Sequence, residues 1–172
     1  MTTSQTAPTR PEAPMVGDER EQLTGFLDFL RATVVMKATG LSDEQARTPL
    51  VASELTNIAS LLAHLTYVEQ YWFGVVLDHQ PDSWQDRLEG DPDAEFRSGL
   101  ELPVARLIAD YEAQCQVNRD IVAGLDLDAQ GTTGRGKPVN VRWVVVHMIE
   151  ETGRHAGHLD LLREHVDGRT GE

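Results

Sequence analysis

Apolar residues recur at intervals of three and four along four long stretches of this chain, and helix is the regular structure that brings such positions onto one face. The first stretch runs from about Asp18 to Thr39, with Leu23, Phe26, Leu27, Leu30, Val34 and Val35 in phase, and Gly40 ends it. The second runs from about Thr56, a good N-cap residue, to Leu77, on Ile58, Leu61, Leu62, Leu65, Val68, Trp72, Val75 and Val76. The third starts near Leu102 and ends at Ala123 or Gly124, with Val104, Leu107, Ile108, Tyr111, Cys115, Asn118 and Val122 inward. The fourth spans about Val141 to Val166. Its opening "VRWVVV" has the composition of a strand, but it continues a helical period and has no partner strand. The expected fold is all-α, an up-and-down bundle of four long helices.

Between these runs the chain is punctuated. Ser42 stands three residues before Gln45, the spacing of a capping box, so a short helical turn is expected there. Residues 78–99 read as a long connection with room for one helical turn, and connections of that length are often functional. "DLDAQGTTGRGKPVN" reads as a turn-rich linker with no strand pattern. Gly131, Gly136 and Lys137 match most of a phosphate-binding loop, but Pro138 stands where Ser or Thr would bind magnesium. Residues 1–17 are biased to Thr, Ser, Pro and Ala and are expected to form a disordered leader; residues 18–168 are expected to form a single domain.

Charge and cysteine usage exclude several classes. Asp and Glu number 28 against 15 Lys and Arg, a formal net charge of −13 that repels phosphate backbones, so no nucleic-acid partner is expected. Cys115 is the only cysteine, so no intrachain disulfide can form; on the inner stripe it reads as a small buried thiol. No apolar run is long enough for a membrane span and the N-terminus lacks a signal-peptide core, which points to the cytoplasm.

The fourth helical run holds the unusual feature, "HMIEETGRHAGH" at residues 147–158. On a wheel of about 100° per residue, Val144, Met148, Leu159, Leu162 and Val166 share one arc. Glu151 and His155 complete that repeat at mid-stripe, His147 and His158 fall at its edge, and Glu150, Arg154 and Asp160 lie farther out. A buried carboxylate is costly unless it is paired or bound to a cation. Positions i and i+4 can reach one ion. His147 and His155 cannot, being about 12 Å apart along the axis while each ligand must lie about 2 Å from zinc. A third ligand must come from another helix. His64, three after Leu61 and four before Val68, shares their apolar face. The set His64, Glu151 and His155 suits zinc first, and nickel or ferrous iron, with positions open for water or a small-molecule substrate. A core histidine satisfied by hydrogen bonds, or a purely structural Glu–His pair, is the competing reading. His79 and His165 read as surface residues.

"LLAHL" in the second run, followed by "EETGRHAGHLDLLRE" in the fourth, resembles the DinB-like superfamily of four-helix metalloproteins. Most members carry H-x3-H on the fourth helix. Here Glu151 replaces the first histidine, His155 matches the second, and His158 sits where Gln is common. The pattern is similar to that of the mycothiol-dependent maleylpyruvate isomerase branch, and the likeness, closest to a mainly actinobacterial branch, covers about residues 18–166. It implies a divalent metal at His64, Glu151 and His155 and, as in many relatives, a homodimer. It also implies an activity: a metal-dependent transferase or isomerase that uses mycothiol or another small thiol on small electrophiles. His158 or His147 could then move a proton or orient a ligand. The alternative is a non-catalytic helical bundle that binds a metal or small ligand. A ferritin-like di-iron centre is disfavoured, because it needs two E-x-x-H motifs and carboxylates from all four helices.

Overall fold

A computed structural model describes residues 10–170, and the first nine residues of the expected leader lie outside it. The described chain is mostly helical. Helix α1 (Glu19–Ala38) begins at a capping box: the Asp18 carboxylate accepts from Glu21 N at 2.9 Å, and the Glu21 carboxylate accepts from Asp18 N at 3.0 Å. Residues before it lie along α1, with the Arg10 guanidinium 4.4 Å from the Phe29 ring centre. The short helix α2 (Asp43–Ala46) carries the expected Ser42–Gln45 box.

Helix α3 (Ile58–Glu69) starts one residue later than the Thr56 cap implied, because Asn57 accepts from Ser60 N at 2.9 Å. At Glu69 the helix widens into a π-helical segment, Gln70–Leu77. The switch has a visible support: Asn118 Nδ2 donates to the Glu69 carbonyl at 3.1 Å, an acceptor at the point where the ladder changes step. The connection after Leu77 holds two short helices, α4 (Gln85–Gly90) and α5 (Ala94–Ser98), rather than a single turn. Helix α6 (Val104–Gly124) follows Pro103, and Val104 N donates to Asp43 Oδ1 at 2.8 Å, tying α2 to its start. Helix α7 (Val141–Asp167) is capped by Asn140, which accepts from Trp143 N at 2.9 Å.

The reading of residues 126–140 as a linker without strands is corrected. Strands β1 (Gln130–Thr132) and β2 (Pro138–Asn140) form an antiparallel hairpin with Gln130 opposite Asn140, Gly131 opposite Val139 and Thr132 opposite Pro138. Three residues per strand are too few for alternation to show in a sequence. Gly131 permits the close packing, since a Cβ there would lie 2.2 Å from the Val76 carbonyl oxygen.

The long helices pack α1 on α7 and α3 on α6, with further contacts between α3 and α7 and between α1 and α6. One apolar cluster gathers Val34, Leu62, Tyr111 and Leu162; a second gathers Leu27, Phe73, Val144 and Met148. Phe26, expected on the inner stripe, is instead exposed. Among the described residues no helix is long and apolar enough to cross a membrane.

Between the two clusters lies an ion pair that water does not reach. Arg31 Nε and Nη2 donate to the two Glu69 oxygens at 2.7 and 2.6 Å, and Asn118 Nδ2 donates to Glu69 Oε2 at 2.6 Å. Asp28 bridges Arg31 and Arg119, both at 3.0 Å. Truncating one member of such a pair strands a charge in the interior. Glu69→Ala is expected to cost about 3–5 kcal/mol of unfolding free energy in urea titration. Replacing the pair together, Arg31→Met with Glu69→Leu, is expected to cost less than that single change.

Candidate metal centre

Helices α3 and α7 bring His64, Glu151 and His155 together. His64 Nε2 and His155 Nε2 each lie 3.2 Å from the same oxygen, Glu151 Oε1. The three side chains are only 11–13% exposed. One donor atom from each falls within 4.8 Å of the others, so the group could hold a single ion. Two donors sharing a tetrahedral zinc stand about 3.3 Å apart. The observed nitrogen–oxygen separations therefore match an ion's coordination sphere with little movement. The chemistry of the set fits as well, with two neutral imidazoles and one carboxylate to offset part of a divalent charge.

The electrostatics are set by the crowding on Glu151. Hydrogen bonds from His155 and then His64 hold its carboxyl far below the usual glutamate range, outweighing the opposite effect of burial. Its second oxygen receives Arg154 Nη1 at 3.2 Å.

Each imidazole has a partner behind its other nitrogen. His155 Nδ1 faces His158 Nδ1 at 3.3 Å, a contact in which one ring donates and the other accepts. His64 Nδ1 faces Glu95 Oε1 at 3.5 Å. The two are not hydrogen-bonded, and both His64 Nδ1 and Glu95 Oε2 are buried with no hydrogen-bond partner among the described residues. The Phe96 ring stacks on His64 at 4.2 Å with an 8° tilt. Gly99 lets α5 come this close: a Cβ there would lie 2.3 Å from the Ala59 carbonyl oxygen on α3. Neither Glu95 nor Phe96 was legible as a site residue, because the five-residue α5 is too short to carry a period.

His147 does not join the cluster. Its ring stacks on Trp143 at 5.0 Å and meets Trp72 edge-on at 4.8 Å. His79 and His165 are exposed. Cys115 is buried at 2% exposure, and burial, then the Glu69 charge, push its thiol far above the ordinary cysteine range. It packs as an inert core residue, as its place on the stripe implied.

A family model described as Mycothiol-S-transferase matches residues 22–168. The chain belongs to that family. The match runs from α1 to the end of α7 and so includes every helix that carries the cluster, consistent with the DinB-like resemblance. No curated protein matches the chain. Membership of the mycothiol S-transferase family supports a small thiol as one substrate.

A carboxylate behind the free nitrogen of a ligating histidine fixes its tautomer and raises its basicity. Glu95→Gln and Glu95→Ala are each expected to weaken zinc binding about 10-fold to 100-fold in chelator competition. Wild-type affinity in both variants would remove Glu95 from the centre.

Proposed function

We propose that this protein is a divalent-metal-dependent S-transferase that joins mycothiol, or a related small thiol, to a small electrophile. The observation that carries the reading is the convergence of His64, Glu151 and His155 from two helices inside the family-matched segment. Zinc suits the donor set first, with nickel or ferrous iron next. When bound, a divalent cation at these side chains supplies the positive charge that lets a thiol ionise near neutral pH.

The chain's own residues do the rest. Glu151 contributes a negative charge and accepts from both imidazoles while the donors wait. Glu95 and Phe96 hold the His64 ring, and His158 holds His155. Three protein donors leave room for a substrate atom, the arrangement of a catalytic rather than a closed structural centre. In the transfer, the sulfur lone pair forms a bond to the electrophilic carbon. The pair that joined that carbon to its leaving group departs with the leaving group, and the thiol proton passes to water. His158, exposed at the edge of the cluster, can relay that proton. The same proposal includes an up-and-down arrangement of α1, α3, α6 and α7 as one domain over residues 18–168, a cytoplasmic setting and a homodimer.

Two experiments test it. Metal-loaded protein incubated with mycothiol and a panel of electrophiles is expected to consume the thiol, and chelation is expected to abolish the consumption. No metal-dependent consumption across the panel would favour a non-catalytic metal- or ligand-binding protein. Second, His64→Ala, Glu151→Ala and His155→Ala are each expected to lose bound metal. His147→Ala and His158→Ala are expected to keep it, with affinity lowered by at most about 10–100-fold. Metal retained in Glu151→Ala but lost in His158→Ala would replace Glu151 by His158 in the ligand set.

A further inference from the structure

Beside the cluster, aromatic side chains stand in a chain of ring contacts. Trp84 meets Tyr67 at 5.8 Å, Tyr67 meets Tyr71 at 6.0 Å, and Tyr71 meets Trp72 at 5.4 Å. Trp72 in turn meets Trp143 at 5.3 Å and His147 at 4.8 Å. These rings include all three tryptophans of the chain. Trp143 is 49% exposed and the other rings are partly buried, with Tyr67 and Trp72 packed against the second apolar cluster.

This wall of rings is contiguous with the cluster along both helices. Tyr67 lies three residues beyond His64 on α3, and His147 lies four residues before Glu151 on α7, so each is about one helical turn, roughly 5 Å, from a cluster residue. Three separate features hold the rings there. The π-helical segment carries Tyr71 and Trp72, and such segments concentrate at functional sites. Gly134 N of the hairpin loop donates to the Tyr71 hydroxyl at 3.2 Å. Gln70 donates to Ser83 Oγ at 3.1 Å, anchoring the turn that presents Trp84.

The charges nearest Tyr67 and His147 are negative. Burial first, then Asp82, Tyr71 and Glu95, push the Tyr67 phenol up to about 12, which places the field of two carboxylates on that ring. Glu150, itself ion-paired with Arg154, lies 3.7 Å from His147 at the other end. At Trp84 the sign differs, since the Arg87 guanidinium sits 4.3 Å from its ring centre.

We propose that this wall is the binding subsite for the electrophile, and that it takes a flat, uncharged, ring-bearing molecule whose reactive carbon then lies beside His64, Glu151 and His155. The identification of the ligand as the electrophile rests on the transferase reading above; the binding of an uncharged ring does not. Stacking supplies the attraction, and the carboxylates near Tyr67 and His147 disfavour an anion of the same shape beside those rings.

The test is calorimetric titration of the full chain in the absence of thiol, using 2,4-dinitrotoluene against 2,4-dinitrobenzoate, with the two probes compared on the zinc-free chain because a carboxylate can itself coordinate zinc. The two share a ring and lack a leaving group, and they differ by a carboxylate. Dinitrotoluene is expected to bind saturably and at least about 10-fold more tightly than dinitrobenzoate. Trp143→Ala and Trp84→Ala, both at partly exposed positions, are each expected to weaken dinitrotoluene about 5-fold with zinc content unchanged. Equal affinity for the two probes, or variants that bind as the wild type does, would overturn the subsite. So would a wild-type dimer in sedimentation equilibrium that Trp143→Ala converts to monomer, since the rings would then be covered by a second copy. If the probes bind as expected while no thiol is consumed with any electrophile, the transferase reading fails and the ring-binding site stands.

Discussion

Three of the long helices meet at a carboxylate that solvent does not touch. Glu69 is fully buried, and its charge is tolerated only because Arg31 from α1 and Asn118 from α6 close around it. The contact does more than neutralise. Asn118 also takes the Glu69 carbonyl, at the residue where α3 stops being an α-helix. The wider turns that follow carry Tyr71 and Trp72, while the regular turns that precede it carry His64. One network therefore sets the register between α3 and the π-helical segment that follows it, and with it the spacing from the His64–Glu151–His155 cluster to the aromatic rings.

The cluster itself is economical in a different way. A buried carboxylate and two inward imidazoles would be a liability in a helix core, and each is resolved by the others. Without an ion, Glu151 accepts from both rings, which spares the interior an unpaired charge. The groups that satisfy the site in this state are the groups that would bind the cation. Because each imidazole nitrogen already stands 3.2 Å from Glu151 Oε1, an ion bound here would exchange those hydrogen bonds for metal bonds. The outer partners reinforce this arrangement. Glu95 and His158 sit beside the far nitrogens of the two imidazoles, on the side away from Glu151; His158 hydrogen-bonds to His155, and Glu95 lies 3.5 Å from His64 Nδ1.

Much of this can be followed in the chain before it folds. The boundaries of α1, α6 and α7 lie within about two residues of the periodic runs, because capping chemistry at Asp18 and Asn140 and the stripes themselves are local properties. The inward aim of Glu151 and His155 follows from α7's own period, and that of His64 from α3's. The short hairpin and the helices of the 78–99 connection were not legible in this way. Their elements are three to six residues long, too short for periodicity, and they exist because neighbours such as the Val76 carbonyl and the α3 backbone shape the space they fill.

By itself, then, the sequence determined which faces of the long helices turn inward and which ionisable groups are carried in with them, since a helix converts spacing into direction without outside help. The tertiary structure alone decided what those groups meet. That Glu95 stands behind His64, that His147 belongs to a wall of tryptophans rather than to the cluster, and that Glu69 locks a π-helical turn all depend on residues distant along the chain. Contacts of that kind are set by how the helices pack, and packing is a property of the whole core rather than of any one segment.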